Sequence, residues 1–244
     1  MVDHTDLTAL RGNPSSVWRA GQERRLQMIA RWTNLPNAHV LIAGIGVGMY
    51  AAKIREKYGD RIDGFDIEYD RVMDARHHAP DAVVAAAEYI PYQSNLFDVI
   101  LSHEVLEHVQ DDRMAVKEMV RVLKPGGRLI IFVPNRWYPF ETHGHYWRGK
   151  YHFGNTPLIN YLPNVLRNRL APHVNVYTGR GLHHLFDGLP VTVITHHRIY
   201  GGYDNIIARL GNTGKLIRDT LYRFEGTPLD LLGLSHMLVI EKTK

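Results

Sequence analysis

His39-Val40-Leu41-Ile42-Ala43-Gly44-Ile45-Gly46-Val47-Gly48 is the stretch on which the fold turns. A short apolar run, the pattern of a strand buried on both faces, ends in three glycines at alternate positions. Glycines so placed allow a tight turn and the close approach of a ligand to the backbone. Residues 49–57 follow with a helical pattern, so the turn lies at a helix N-terminus, where free N–H groups are available. The spacing is G-x-G-x-G, which departs from the G-x-G-x-x-G of dinucleotide binders.

Outward from this turn the alternation repeats. Residues 61–67 read as a strand ending in acids, 69–78 as a helix, and 82–86 and 97–101 as strands. Residues 109–123 carry Met114, Val116, Met119, Val120 and Leu123 at helical spacing; Lys124-Pro-Gly-Gly127 is a turn, and 128–133 a strand. Strands alternating with helices predict right-handed βαβ units and a mostly parallel sheet. Upstream, residues 16–32 form an amphipathic pattern with Trp18, Leu26, Ile29 and Ala30 on one face. Downstream, 180–186 read as a short helix, 191–200 as a strand, 206–224 as helix broken near Gly211, and 236–241 as a closing strand. The expected organisation is a single domain over 1–244, with a helical N-terminal extension over 1–35.

The chain has 244 residues, 45% of them hydrophobic, enough for a sizeable core. It has no cysteine, which excludes disulfides, cysteine–zinc sites and cysteine nucleophiles. The polar start, 1–13, lacks the basic and apolar regions of a signal peptide, and no apolar run reaches membrane-spanning length, so a cytoplasmic protein is expected. The net charge is +4. Six of the Lys and Arg residues, against Glu141 alone, fall in 136–180. Such a patch suits an anionic molecule, a lipid surface or nucleic acid, and equally a solvated face.

Phe97-Asp-Val-Ile-Leu-Ser-His-Glu-Val-Leu-Glu-His-Val109 and Val122-Leu-Lys-Pro-Gly-Gly-Arg-Leu-Ile-Ile131 bring a family into view. Together with the glycine turn, Asp66 and Ile90-Pro-Tyr92, they resemble the class I methyltransferases that use S-adenosylmethionine, particularly the branch of ubiquinone and menaquinone biosynthesis. The resemblance covers about residues 38–134. It implies a seven-stranded, mostly parallel Rossmann-like α/β sheet of order 3-2-1-4-5-7-6, strand 7 antiparallel, with helices on both faces.

It also implies roles. Gly44, Gly46 and Gly48 would line the methionine part of S-adenosylmethionine. Asp66 would hold the ribose, whose two hydroxyls suit one carboxylate, and Ile67 would pack on the adenine. Ala87 and Glu88 would meet the adenine edge, and Ser102 and His103 would border the methionine and methyl group. Two positions where the family often has an acid hold Ile42 and Ala86, removing polar contacts worth about 1–2 kcal/mol each.

Methyl transfer needs a base mainly for hydroxyl or acidic-carbon acceptors, and histidine suits neutral pH. His103 is a candidate at its strand end, against the plainer reading of a surface or supporting histidine. His108, in Leu-Glu-His-Val, reads as structural. Residues 136–185, rich in aromatics, predict a substrate lid of a length rare in simple connections. Within it Glu141, His143 and His145 stand nearest the preceding strand as candidate base or substrate clamp. Two histidines at i, i+2 do not specify a metal site, and none is expected. The expected partner is a small-molecule acceptor, anionic or membrane-associated, methylated on oxygen or carbon: quinone-like, lipid-linked or sugar. A binder of S-adenosylmethionine without turnover is the alternative. An RNA methyltransferase stands behind it, since no RNA-binding module is present.

Overall fold

Residues 17–243 are described by the computed structural model. The first strand, β1 (Val40–Ala43), is buried along its whole length. It pairs in parallel with β2 (Ile62–Asp66) on one side and β4 (Phe97–His103) on the other, with Val40 facing Ile62 and Val99. This central place explains why its sequence is continuously apolar. β3 (Val83–Val84) adds in parallel beyond β2, and β5 (Leu123–Pro134) beyond β4. The antiparallel β11 (Ser235–Lys242) pairs β5, and β10 (Val191–Ile199) closes that edge antiparallel to β11. The sheet thus runs 3-2-1-4-5-7-6 when its seven members are counted in chain order, with the seventh antiparallel.

Helices cover both faces. On one, α1 (Ala20–Trp32), α2 (Met49–Lys57) and α3 (Tyr69–Ala75) bury Leu26, Ile29, Ile54 and Val72 against β1 and β5. The opposite face packs α4 (Asp112–Val122) against Leu41, Ile100 and Ile131. Its Val116, Met119 and Val120 are almost wholly buried, each worth about 1.5–3 kcal/mol relative to exposure. The sequence pattern begins this helix at Val109, but it starts at Asp112. Asp111 caps it, accepting from the Met114 N–H at 2.9 Å, and residues 104–110 become a loop at the sheet's edge.

Several boundaries differ from the sequence reading in this way. The helix expected from residue 16 begins at Ala20, and Ser16, with the polar start 1–13, lies outside the described residues. Lys124-Pro-Gly-Gly127 joins the start of β5 through an irregularity in its register with β4. The segment 136–185 is more ordered than its weak periodicity suggests. It contains β6 (Phe140–Glu141) paired with β9 (Thr156–Pro157), and β7 (His145–Trp147) paired with β8 (Lys150–His152). The helices α5 (Asn164–Leu170) and α6 (Gly179–His184) follow. Between β10 and β11 the chain forms α7 (Asp204–Leu210) and α8 (Asn212–Arg223), broken at Gly211 as its sequence predicts. Among the described residues no helix is long and apolar enough to cross a membrane.

Candidate active site

A cavity of about 1160 Å³ opens at the carboxyl ends of β1, β2, β4 and β5, where open α/β sheets bind ligands. Its floor at one end is the glycine turn. Gly44, Gly46 and Gly48 all have positive φ, at 64°, 54° and 83°. A Cβ on Gly44 would stand 2.3 Å from Val105 Cγ2, so glycine is required there on both conformational and steric grounds. Asp66, at the tip of β2, is 6% exposed. Its Oδ2 accepts from the Gly46 N–H at 2.9 Å and its Oδ1 from the Glu68 N–H at 3.0 Å. A carboxylate offers about four acceptor positions, so this one secures the turn and keeps lone pairs for a ligand. Ile67, half exposed, and Ala87 continue the wall, together with Ile42 and Ala86. Glu88 also lines it, with Oε1 accepting from the N–H groups of Gln110 and Asp111 at 2.9 and 3.3 Å. Ser102 is fully buried within β4 and is not part of the wall.

His103, at the end of β4, lies on the wall with its Nε2 accepting from Arg25 Nη1 of α1 at 2.9 Å. Burial, with the Arg25 charge adding to it, holds the imidazole down to about 4. The next residue, Glu104, is left-handed at φ 56°, a conformation that costs a non-glycine residue energy and clusters at functional sites.

The far end is built by the segment after β5. Glu141 is 1% exposed. Its Oε1 accepts from the His143 backbone N–H at 3.0 Å and lies 3.2 Å from Nδ1 of the same residue, while Oε2 accepts from Arg167 Nη2 at 2.9 Å. Arg167 is buried too, and donates to the Val174 carbonyl at 2.6 Å. A fixed, ionised carboxylate therefore orients the His143 ring. Burial opposes charging His143, but the neighbouring Glu141, Glu107 and Glu104 outweigh it and raise its pKa. His145 stands apart: it stacks on His152 at 5.4 Å, lies 3.0 Å from Thr156 Oγ1, and is not part of the wall.

Two further groups here, Glu107 and His108, are given no site role by the sequence. Glu107, from Leu-Glu-His-Val, is 1% exposed, and neither carboxylate oxygen has a hydrogen-bond partner among the described residues. Burial pushes it up to about 8. Its Oε1 lies 3.9 Å from His143 Nε2. His108, read as structural, does hydrogen bond within the fold, Nδ1 to the His173 carbonyl at 3.3 Å, yet it also lines the cavity. Glu107, His108 and His143 bring ligand-type atoms within 4.8 Å of one another.

Residues 41–131 match the family model described as "Methyltransferase domain". This stretch is therefore similar to methyltransferase domains. Methyltransferase GfsG of Streptomyces halstedii is 33% identical over 130 residues, 49% of this chain and 47% of that one. Ubiquinone biosynthesis O-methyltransferase of Coxiella burnetii is 30% identical over 118 residues, 46% of this chain and 50% of that one. The chain thus spans about half the length of these relatives. A solved S-adenosylmethionine-dependent methyltransferase from Mesorhizobium loti shares the fold with a TM-score of 0.63 at 15% identity, over 89% of this chain and 96% of that one. The matched stretch holds the glycine turn, Asp66, Glu88 and the β4–α4 loop. The His143 end lies beyond it.

Proposed function

We propose that this chain methylates an oxygen or carbon of a small molecule, with the donor at the glycine end of the cavity and the acceptor at the His143 end. One observation carries the reading: both ends belong to a single cavity, larger than the roughly 300–1,000 Å³ of an ordinary small-molecule site. The residues fit S-adenosylmethionine. Gly44 is a cradle that a side chain would fill, and Asp66 keeps acceptor capacity beside exposed Ile67. Bound there, the donor supplies a methyl group on a sulfonium that carries its own leaving group.

The protein's part is then alignment, which can supply much of the rate, and handling of the acceptor proton. Of the three histidines singled out from sequence, His143 suits the acceptor. His103 has its Nε2 engaged by Arg25, and His145 is off the wall. Glu141 acts as a positioning residue for His143. The segment 136–185 is the substrate lid. Its Tyr151 and Phe153 on the wall favour a planar acceptor such as a quinone-like phenol, and its positive charge an anionic or lipid-linked one. Ile42 and Ala86 favour the second reading, binding without turnover, because both remove polar contacts to the donor.

The test replaces His143 and His145 by Ala, separately, and measures donor affinity and radiolabelled methyl transfer over a metabolite extract. His143→Ala should lose about 100-fold or more in transfer, the scale of acid–base help, with donor affinity near wild type. His145→Ala should transfer normally. Equal, normal transfer by both would contradict the role of His143, and donor binding with no transfer by wild type would favour the second reading.

A further inference from the structure

We infer that Glu107, His108 and His143 together hold one divalent cation of the zinc, cobalt or manganese kind at the acceptor end of the cavity. The inference deepens the proposed function and rests on it in one respect, that the acceptor enters at this end; with Nε2 on the cation, His143 serves the acceptor by holding that cation rather than by taking its proton.

Glu107 is the first observation. A carboxyl group with both oxygens buried and unpartnered is costly, and a structure keeps such a group where a ligand satisfies it. This one lies on the cavity wall, 1% exposed, with the His143 ring 3.9 Å away.

The tautomers are the second. The His173 carbonyl can only accept, so His108 must carry its proton on Nδ1 and leave the Nε2 lone pair free. Glu141, held ionised by Arg167, likewise takes the proton of His143 on Nδ1 and leaves Nε2 facing Glu107. Two imidazoles, each with one nitrogen anchored on an oxygen acceptor, are arranged as metal-ligating histidines are. In a surface histidine neither nitrogen need be fixed.

Distances agree with this. Two ligands about 2.1 Å from one ion stand at most about 4.2 Å apart, and the present spread is within 4.8 Å. Closing it takes side-chain movement of less than about 1 Å. Two nitrogens and one carboxylate suit borderline first-row cations over magnesium or calcium, which prefer all-oxygen shells. Three protein ligands on a cavity wall also leave a position for an acceptor oxygen, as in catalytic rather than structural sites. Glu107 and His108 come from the loop after β4 and His143 from the segment after β5, so the ion would also fasten that segment to the sheet. From sequence alone no metal is expected, because the third ligand lies far from the His143–His145 pair in the chain.

The experiment uses the full chain, stripped with a chelator and dialysed. It is titrated with cobalt(II) chloride, followed by visible ligand-field absorption, and with zinc chloride by calorimetry. One equivalent of each should bind. Glu107→Gln, nearly isosteric, and His143→Ala should each weaken binding about tenfold or more. Glu141→Gln, which touches no ion, should weaken it by a similar factor through the His143 ring. His145→Ala should bind as wild type does; it is the control for adventitious binding at the stacked His145–His152 pair. Absence of stoichiometric binding by wild type, or binding that survives both Glu107→Gln and His143→Ala, overturns the inference. The two proposals separate cleanly. Methyl transfer that is normal in stripped, cobalt-refractory protein removes the metal and keeps the transferase. Cobalt binding in a protein that never transfers does the reverse.

Discussion

His236, near the start of β11 and between two neighbouring strands, has no exposed surface. Its Nε2 lies 2.9 Å from the Tyr177 carbonyl, which can only accept, so that nitrogen carries the proton. Nδ1 then accepts from His196 Nε2 at 2.9 Å, and His196 Nδ1 accepts from His183 Nε2 at 3.0 Å. The chain of donors runs one way, and His196 and His236, each donating from one nitrogen and accepting at the other, are neutral. Burial holds His236 down to about 4, and Arg198 adds to this while Asp230 opposes it. Burial, then His236, His183, Arg198 and His197, holds His196 down to about 3. A histidine whose folded pKa is depressed binds its proton more readily when unfolded. Its contribution is therefore complete above the unfolded pKa near 6.5 and lost as pH falls from there toward 4. Urea unfolding should lose at least about 2 kcal/mol from His196 and His236 between pH 7.5 and 5, since a tenfold difference in proton affinity between folded and unfolded chains is worth about 1.4 kcal/mol. His236→Gln, which keeps a donor and an acceptor, should show a shallower decline. Equal pH slopes for the two proteins would contradict this. In the sequence these histidines read as scattered residues, because a relay built from α6, β10 and β11 has no local signature.

Among the elements, the strands are the most legible in the sequence. β1 and β5 are apolar runs punctuated by glycine or proline and β4 is one preceded by the Ser94-Asn95 turn, and a buried strand needs little else to be recognised. The segment 136–185 is not legible, because its order comes from distant pairs such as Phe140 with Pro157 and Glu141 with Arg167. The α7–α8 pair falls between these cases. Gly211, with φ 54° and ψ −122°, is visible as a break, but the packing that follows is not. Gly214 is buried where the two helices meet. A Cβ there would stand 2.8 Å from the Ile206 carbonyl oxygen and 2.8 Å from Ile207 Cα. Backbone cannot yield as a side-chain end can, so Gly214→Ala should prise the helices apart and cost about 1–3 kcal/mol, as overpacking does. Thermal unfolding should show a midpoint lower by several degrees. An unchanged or raised midpoint, as expected from alanine's better helix propensity alone, would mean that the two helices do not pack this closely.

For the molecule as a whole, the parallel sheet aligns what the sequence separates. The proposed donor end is readable because its parts are local: glycines at a strand end, and an acid at the tip of the next strand. The other end is not, since the meaning of Glu107 depends on burial and on His143, which arrives from a different crossover. Ile42 and Ala86 put no acid on the cavity wall at their positions. Glu88 spends one oxygen on the loop before α4. On the proposed reading, Asp66 is therefore the main carboxylate left to recognise the donor. The most direct measurement is a calorimetric titration of the wild-type chain and Asp66→Ala with S-adenosylmethionine, with NADH as the competing ligand. Wild type should bind one equivalent of S-adenosylmethionine and no NADH. In Asp66→Ala the affinity should weaken by about 1.5–3 kcal/mol, roughly 10- to 150-fold. An unchanged dissociation constant in the variant, or NADH binding in place of S-adenosylmethionine, would contradict the assignment of the donor site.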